Sequence, residues 1–219
     1  NTLSVSNSVN YAYSAWFYVD DWSYRYGEPK IILGRLDSDL EPSPSIVLGA
    51  IENNLKIQTT VYSSVGATEG STHTCNVDNV PIQKWVNVII SLRGRTLDVY
   101  IDGKLVRTCV LPGVAKIANN APVYITPLGG FSGFTSNVQY YGDSLNPQEA
   151  YNIYRSGYGG SSLGYLAQRG QSYEINISDP LTSWIIDIPI TGGEYKYSCI
   201  ADQGTQQGSS TGRTCNFPQ

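Results

Sequence analysis

The stretch from Trp85 to Leu111 constrains the fold more than any other part of the sequence. Apolar side chains alternate with other residues along it, at Val86, Val88, Ile90, Leu92, Leu97, Val99 and Ile101. An alternation with a period of two is typical of strands that bury one face. Asp102-Gly103 follows, and this dipeptide favours a two-residue hairpin turn that needs positive φ at both positions. The stretch therefore predicts three consecutive antiparallel strands.

The two-residue turn also predicts which residues face each other across the second hairpin. The expected pairs are Ile101–Lys104, Tyr100–Leu105, Val99–Val106 and Asp98–Arg107. In this register Asp98 and Arg107 form a cross-strand pair of opposite charge, worth about 0.2–1 kcal/mol. Val106 and Val110 are then expected to point into the core.

Runs rich in aromatic and β-branched residues predict further strands. They cover 11–19, 30–33, 46–51, 55–62, 123–126, 135–141, 172–177, 184–190 and 195–200. The segments 37–45 and 204–212 have the composition of loops. One short helix is expected after Asn146, which can cap it, with Pro147 at its first position and Gly157 at its end. These elements indicate an all-β fold, an antiparallel β-sandwich with one short helix and a β-rich C-terminal tail.

The linker-like segment 157–162 (GYGGSS) predicts a domain boundary near residue 160. Residues 1–160 are expected to form the sandwich, and residues 161–219 a β-rich C-terminal extension. The extension could be a small unit stapled by a disulfide, or its strands could complete the sandwich. Both alternatives are compatible with its composition.

Charge and composition exclude two broad classes of function. The net charge is −4 and the densest basic stretch is Arg93-Gly94-Arg95, whereas nucleic-acid binding needs clustered Lys and Arg. No apolar run approaches the roughly 20 residues that cross a bilayer. The chain contains no Met and begins in strand-like sequence, which is expected of a processed product or an excised domain.

The cysteines are Cys75, Cys109, Cys199 and Cys215; they form no C-x-x-C motif, and His73 is the only histidine. Structural zinc is therefore not expected. The even count indicates two disulfides and an oxidising, extracellular compartment. We favour the pairs Cys75–Cys109 and Cys199–Cys215, because each joins segments of similar local character. The other two pairings and free thiols remain alternatives.

A set of motifs in fixed order carries a family resemblance. The motifs are Trp85-Val86-Asn87-Val88, Tyr100-Ile101-Asp102-Gly103, Gly130-Phe131-Ser132-Gly133 and Leu145-Asn146-Pro147-Gln148-Glu149-Ala150. Together they resemble the laminin-G-like branch of the concanavalin A-like lectin/glucanase superfamily. The resemblance implies a jelly-roll sandwich.

A finer resemblance comes from Arg107-Thr108-Cys109 and from Tyr151-Asn152-Ile153-Tyr154. These stretches are similar to domains that large DNA viruses of algae and protists encode. That similarity implies a structural component of the minor capsid type, located at an extracellular or virion surface and bound to neighbouring proteins.

Glucanases of this superfamily carry alternating acids on one strand, so that two carboxyl groups lie roughly 5–5.5 Å apart. The sequence contains no such run, and we therefore do not expect an enzyme. Laminin-G-like domains often hold calcium at a rim, which makes Asp37, Asp39 and Glu41 a weak calcium candidate. A solvated acidic loop is the alternative, and no other cofactor is expected.

Sugar binding needs exposed aromatic rings that stack on the ligand, and polar side chains that bind its hydroxyls. Trp22, Tyr24, Arg25 and Tyr26 lie in one predicted loop and are the best candidates for such a site. The alternative is that these aromatics pack over the end of the sandwich or against another protein.

Three functional hypotheses follow. The first is a structural or interaction module that binds other proteins of an assembly, such as a virion. The alternative is a lectin-like carbohydrate-binding module, and a glycoside hydrolase is a remote third. Trp16 and Trp85 lie within strand patterns and are expected in the core, which leaves the loop aromatics as the predicted binding surface.

Overall fold

The structure is a computed structural model that describes residues 10–158, apart from residues 38, 63–69 and 118–120. Beyond residue 158 it describes the backbone of four short strands. The elements, in chain order, are β1 (Tyr11–Asp21), β2 (Lys30–Leu36), β3 (Pro42–Leu48), β4 (Leu55–Tyr62), β5 (Ser71–Val77), β6 (Trp85–Arg93), β7 (Thr96–Ile101), β8 (Lys104–Val110), β9 (Val114–Ala115), β10 (Val123–Ile125), β11 (Ser132–Tyr141), α1 (Pro147–Ser156), β12 (Tyr173–Ile175), β13 (Ser183–Asp187), β14 (Tyr195–Ala201) and β15 (Gly204–Ser210).

The strands form two antiparallel sheets. Sheet A has the order β15-β14-β13-β11-β1-β6-β7-β8, and sheet B has the order β12-β10-β2-β3-β4-β5, with β9 added beside β4. The two sheets pack face to face over one apolar core. The predicted β-sandwich with one short helix is therefore confirmed.

The alternation of apolar residues decides which side chains enter this core. Val86, Val88 and Ile90 are fully buried on β6, and Phe17 is fully buried opposite Val86 on β1. Because successive side chains of a strand point to opposite faces, the residues between them lie on the outer face of sheet A. That outer face carries features described below.

The predicted register of β7 and β8 is confirmed only beside the turn. The observed pairs are Ile101–Lys104, Tyr100–Leu105, Val99–Arg107 and Asp98–Thr108. A β-bulge at Val106 inserts one extra residue into β8. The predicted pair of Asp98 with Arg107 is therefore wrong, and the Thr108 hydroxyl instead donates to Asp98 Oδ1 at 2.5 Å.

The bulge and the position of β8 also change the predicted core. Val106 and Val110 were expected inside, but they are 47% and 68% exposed. β8 is the last strand of sheet A, so its side chains lack a neighbouring strand to cover them. The edge carries Lys104 and Arg107 together with the bulge, a combination that protects sheet edges against pairing with other chains.

Two predicted loops contain strands. β3 begins at Pro42, inside the segment 37–45, but it pairs with β4 only from Ser45 onwards. The register between β2 and β3 also shifts beyond Gly34, so Pro42 and Pro44 lie where the ladder is irregular and their missing N–H groups are tolerated. The Gly-rich segment 204–212 contains β15, which pairs with β14.

The strands of the C-terminal part add to both sheets. β13 pairs with β11 in sheet A, and β12 pairs with β10 in sheet B. This pairing agrees with the alternative in which the tail completes the sandwich. The domain boundary near residue 160 stays a prediction.

The helix α1 forms as predicted on the outer face of sheet A. Asn146 and Glu149 make a reciprocal capping box, with Pro147 at the start and Gly157 as the C-cap at φ 81°. Ala150 packs with Ile89 and Tyr100 of the sheet. The helix therefore covers β6 and β7 and brings the residues that follow it onto the same face.

Candidate functional site

Three loops meet at one end of the sandwich: residues 22–29, 49–54 and 126–130. We call this end the rim. Backbone hydrogen bonds join its loops, since Gly27 N donates to Ala50 O at 2.9 Å. The predicted ligand-binding residues Trp22, Tyr24, Arg25 and Tyr26 all lie in the first of these loops.

Trp22 is engaged within the chain on two sides. Its indole Nε1 donates to Ile51 O at 2.8 Å, and its ring packs on the apolar core. The Lys30 ammonium lies 4.8 Å from the ring centroid, in a cation–π contact. The indole therefore fixes the second loop and one buried cation, and it is half-buried.

Lys30 is buried beneath the rim, and within the described residues its Nζ has no hydrogen-bond acceptor. Burial lowers the pKa of its ammonium, and the Arg25 cation lowers it further, while Glu28 acts in the opposite direction. The Trp22 ring and the Glu28 carboxylate therefore both stabilise this charge. Loss of the ring would remove one of these two contributions.

Tyr24 and Arg25 tie the first loop to the third. The Tyr24 hydroxyl donates to Gly129 O at 3.1 Å, and the Arg25 guanidinium donates to Leu128 O. Arg25 Nη2 also pairs with Glu28 Oε2 at 2.6 Å. Three of the four predicted ligand-binding residues therefore have their polar groups engaged by the rim itself.

Three large apolar side chains are exposed at the rim. Tyr26 is 61% exposed, Ile51 60% and Leu128 65%, and each projects from a different loop. The hydrogen bonds of Trp22 and Arg25 hold the carbonyl groups of two of these residues. Within one loop, the polar groups of Trp22, Tyr24 and Arg25 are thus engaged by the chain while Tyr26 is exposed, and ligand binding at these four residues stays a prediction.

The calcium candidate lies at the other end of the sandwich and contains a lysine. Lys116 Nζ lies 2.7 Å from Asp37 Oδ2 and 2.6 Å from Glu41 Oε2. Asp39 contributes its backbone N–H, which donates to Asp37 Oδ1 at 3.0 Å. Across the part of the chain that the structure describes, no three His, Cys, Asp or Glu side chains are grouped to hold a metal ion. Calcium at Asp37, Asp39 and Glu41 stays a prediction. Its binding would require Lys116 Nζ to move away from the carboxylates of Asp37 and Glu41.

The ion pairs of this loop set the charge state of its members. Partial burial acts to raise the pKa of Asp37, but hydrogen bonds from Lys116 and from the N–H groups of Glu41 and Asp39 hold it below its usual value. The carboxylates of Asp37 and Glu41 in turn raise the pKa of Lys116. Asp37 and Lys116 are therefore both charged at neutral pH.

The predicted disulfide between Cys75 and Cys109 is present, with the two Cα atoms 6.1 Å apart. It joins β5, the last strand of sheet B, to β8, the last strand of sheet A. The predicted bond between Cys199 and Cys215 lies outside the described residues. The observed disulfide is typical of an oxidising compartment.

A cleft of about 300 Å³ lies between the edges that this disulfide joins. We call it the edge cleft. Its lining comprises Asn76, Val77, Asp78, Asn79, Val80, Pro81, Ile101, Val106 and Arg107. Sequence reasoning missed it, because the bulge that places Val106 in its wall leaves no signal in the sequence.

Sequence reasoning also missed an aromatic surface on the outer face of sheet A. Tyr18 pairs with Trp85 on one side and with Phe134 on the other, so three neighbouring strands carry one row of rings. The ring centroids lie 5.9–6.5 Å apart, and Tyr158 stacks on Trp85 at 4.6 Å. We call Tyr18, Trp85, Phe134 and Tyr158 the aromatic face.

The position of this surface corrects the expectation for two tryptophans. Trp85 is half-buried and Trp16 is buried, but both lie outside the inter-sheet core. Trp16 is covered by Tyr154 and Tyr158, whose rings lie 5.6 Å away at the end of α1. The alternation that buries Val86 inward already implies an outward Trp85, and this was the available signal.

The signature described as the concanavalin A-like lectin/glucanase superfamily, of laminin-G type, matches residues 1–150. The chain belongs to this superfamily. A comparison with curated protein sequences gave no significant match.

Solved structures show the same fold in proteins of low sequence identity. The binding domain of botulinum neurotoxin serotype G has a TM-score of 0.51 and 12% identity, over 90% of this chain and 60% of that chain. A proposed carbohydrate-binding protein from Bacteroides ovatus has a TM-score of 0.49 and 12% identity, over 98% and 58%.

A third similar structure is a domain of an extracellular arabinanase from Geobacillus stearothermophilus, in complex with arabinotriose. It has a TM-score of 0.47 and 19% identity, over 68% of each chain. This chain spans about three fifths of the length of the botulinum neurotoxin domain.

Among the described residues, no helix is long and apolar enough to cross a membrane.

Proposed function

We propose that this chain is a non-catalytic carbohydrate-binding module. The observation that carries the proposal is the aromatic face, in which rings from three neighbouring strands and from the end of α1 form one surface. Phe134 is 38% exposed and Tyr158 36% exposed. Contiguous exposed apolar surface of this kind marks ligand-binding or interaction sites.

The chemistry of the aromatic face suits saccharides. The C–H face of a pyranose ring is apolar and packs on an aromatic ring, while a tyrosine hydroxyl supplies a polar group at the edge of that surface. The neighbouring rings of Trp85 and Tyr158 are held 9° from parallel, so their orientation does not need to be fixed on binding. A preformed surface lowers the entropic cost of association.

Membership of a superfamily of lectins and glucanases supports a saccharide ligand, and the sequence supports binding without hydrolysis. The acid pattern that superfamily glucanases use is missing from the sequence, as shown above. The rim loop with Trp22, Tyr24, Arg25 and Tyr26 is the alternative location for the ligand.

Binding to insoluble and immobilised polysaccharides tests the proposal. Phe134→Ala and Tyr158→Ala are expected to reduce retention on the bound polysaccharide at least tenfold, because each removes an exposed ring. Tyr26→Ala is the matched control, since it removes an exposed tyrosine of the rim. Loss of retention in Tyr26→Ala alone would move the site to the rim, and failure of the unaltered chain to bind any polysaccharide would overturn the function.

A second candidate function is docking to neighbouring proteins, including those of a virus particle. The exposed apolar side chains of Tyr26, Ile51 and Leu128 favour it, because they project together from the rim. Ile51→Asp with Leu128→Asp is expected to abolish capture by such an assembly and to leave polysaccharide retention unchanged. Unimpaired assembly of the double variant would exclude the rim as the docking surface.

A further inference from the structure

We infer that the edge cleft is a second binding site, which takes a terminal saccharide unit through its hydroxyl groups. The inference rests on the proposed function, but it concerns a different surface. The cleft opens between β5 and β8, whereas the aromatic face lies on β1, β6 and β11. The two surfaces therefore make separable predictions.

The polar side chains of the cleft are available to a ligand. Asn76, Asp78, Asn79 and Arg107 are all exposed. Within the described part of the chain, none of these four side chains makes a hydrogen bond or an ion pair. The four residues belong to two strand edges and one loop, and they line the same volume of about 300 Å³.

The combination of these groups selects the chemistry of the ligand. Carboxylate, amide and guanidinium groups are planar and offer paired acceptors or donors, which can bind two neighbouring hydroxyls at once. One carboxylate, Asp78, and one guanidinium, Arg107, oppose each other in charge, so neither an anion nor a cation is favoured. A neutral ligand rich in hydroxyl groups satisfies both.

Aliphatic side chains complete the site. Ile101 and the half-exposed Val106 form an apolar part of the lining, against which the C–H groups of a sugar ring can pack. The volume lies at the lower end of the range for ligand pockets, about 300–1,000 Å³. It therefore has room for one sugar unit.

An extended peptide fits the cleft less well than a sugar. A peptide would add to the edge of β8 through regularly spaced backbone hydrogen bonds. The bulge at Val106 interrupts that spacing, and the cations Lys104 and Arg107 oppose strand addition. A sugar needs only the side chains, and these are oriented independently of the ladder.

The disulfide fixes the width of the cleft. Cys75 directly precedes Asn76, and Cys109 lies two residues after Arg107. The two walls of the cleft are therefore covalently joined close to the groups that would bind the sugar. Such preorganisation reduces the cost of ordering the site when the ligand binds.

Two-dimensional NMR of the uniformly labelled full chain with free mono- and disaccharides tests the inference. The panel contains glucose, galactose, mannose, fucose, N-acetylglucosamine, lactose and cellobiose. At least one sugar is expected to shift the backbone amides of residues 76–81 and 101–107. Arg107→Met is expected to lower the affinity for that sugar at least tenfold. Lys104→Met, on the same strand but outside the cleft, should keep the affinity within twofold.

The outcomes separate this inference from the proposed function. The proposed sugar site in the cleft would be overturned if the shifts mapped to Tyr18, Trp85 and Phe134 and if Arg107→Met did not change the affinity for the sugar. That result would support binding at the aromatic face. Retention on polysaccharide without any shift by the free sugars would also overturn the cleft alone. If neither assay detects binding, both proposals are wrong.

Discussion

The rim and the edge cleft both carry polar side chains, but only those of the rim are engaged within the described part of the chain. At the rim, Trp22, Tyr24 and Arg25 donate to backbone carbonyls of neighbouring loops. In the edge cleft, Asp78 and Arg107 have no such partner among the described residues. Loop carbonyls require donors, and the rim shows that polar loop residues often meet that requirement before any ligand does.

The difference predicts two classes of variant. Substitutions of Trp22, Tyr24 or Arg25 at the rim should lower stability, because they remove bonds between loops. Substitutions of the polar groups in the edge cleft should lower binding and change the free energy of unfolding by less than about 0.5 kcal/mol. The disulfide between Cys75 and Cys109 joins the two walls of the cleft, so its removal should lower both stability and binding.

Removal of the disulfide is expected to have the largest effect. Cys75→Ala with Cys109→Ala releases a constraint on a loop with a sequence separation of 34. The chain-entropy estimate for a loop of that length is about 3–4 kcal/mol. Urea unfolding of the double variant should show that loss, and binding of the sugar should weaken because the cleft walls are no longer joined.

The double substitution is preferable to reduction, because a reductant would also break the bond predicted between Cys199 and Cys215. Arg107→Met is the control for the cleft, since it should lower the affinity for the sugar and leave the urea midpoint of unfolding unchanged. Equal urea midpoints for the double variant and the unaltered chain would show that the two sheet edges hold together without the bond.

The second effect concerns the rim. Trp22→Ala removes the indole hydrogen bond to Ile51 and the ring above Lys30, and it should cost about 2 kcal/mol. The cost is smaller than for a fully buried tryptophan, because the ring is half exposed. Thermal or urea unfolding measures it, and Tyr26→Ala, which removes an exposed ring of the same loop, should change stability by less than about 0.5 kcal/mol.

If Trp22→Ala kept its stability and lost carbohydrate binding, the rim would be a binding site and the division drawn above would fail. Trp22→Phe separates the two contributions of the indole. That variant keeps an aromatic ring but loses the indole N–H, and so isolates the hydrogen bond to Ile51 O from the packing of the ring.

The sandwich was predictable because its signal is periodic. Val86, Val88 and Ile90 alternate, Asp102-Gly103 closes a turn, and Asn146 and Glu149 cap a helix; each is a local rule that the structure obeys. The matching family resemblance was available from the same residues. Burial of one face fixes the register between β6 and β7, whereas β8, at the edge of sheet A, departs from the predicted register at its bulge.

The site was less predictable because it depends on features without a local rule. The bulge at Val106 changes which side chains point into the cleft, and no residue in β8 demands it. Tyr24 and Arg25 find their acceptors about a hundred residues later in the chain, at Gly129 and Leu128. Composition identified the loop correctly, but it could not indicate that the polar groups of the loop would be engaged.

The smallest effect on stability is expected at the acidic loop of Asp37, Asp39 and Glu41. As at the rim, its polar groups are engaged within the chain, here by Lys116. Lys116→Met leaves Asp37 and Glu41 without their cation, and it should cost about 1 kcal/mol at neutral pH because the pair is partly exposed. Lys56→Met is the control, since it removes an exposed lysine from β4.

The pH dependence of that cost identifies its source. The pKa of Asp37 is lower in the folded chain than in the unfolded chain, where it is about 3.9. Its contribution is therefore complete above that value and is lost as the pH falls through the folded pKa. The difference in unfolding free energy between Lys116→Met and the unaltered chain should be constant from about pH 5 to 8 and narrow below about pH 4. An equal difference at pH 7 and in strong acid would mean that Lys116 acts through its aliphatic stem and not through its charge.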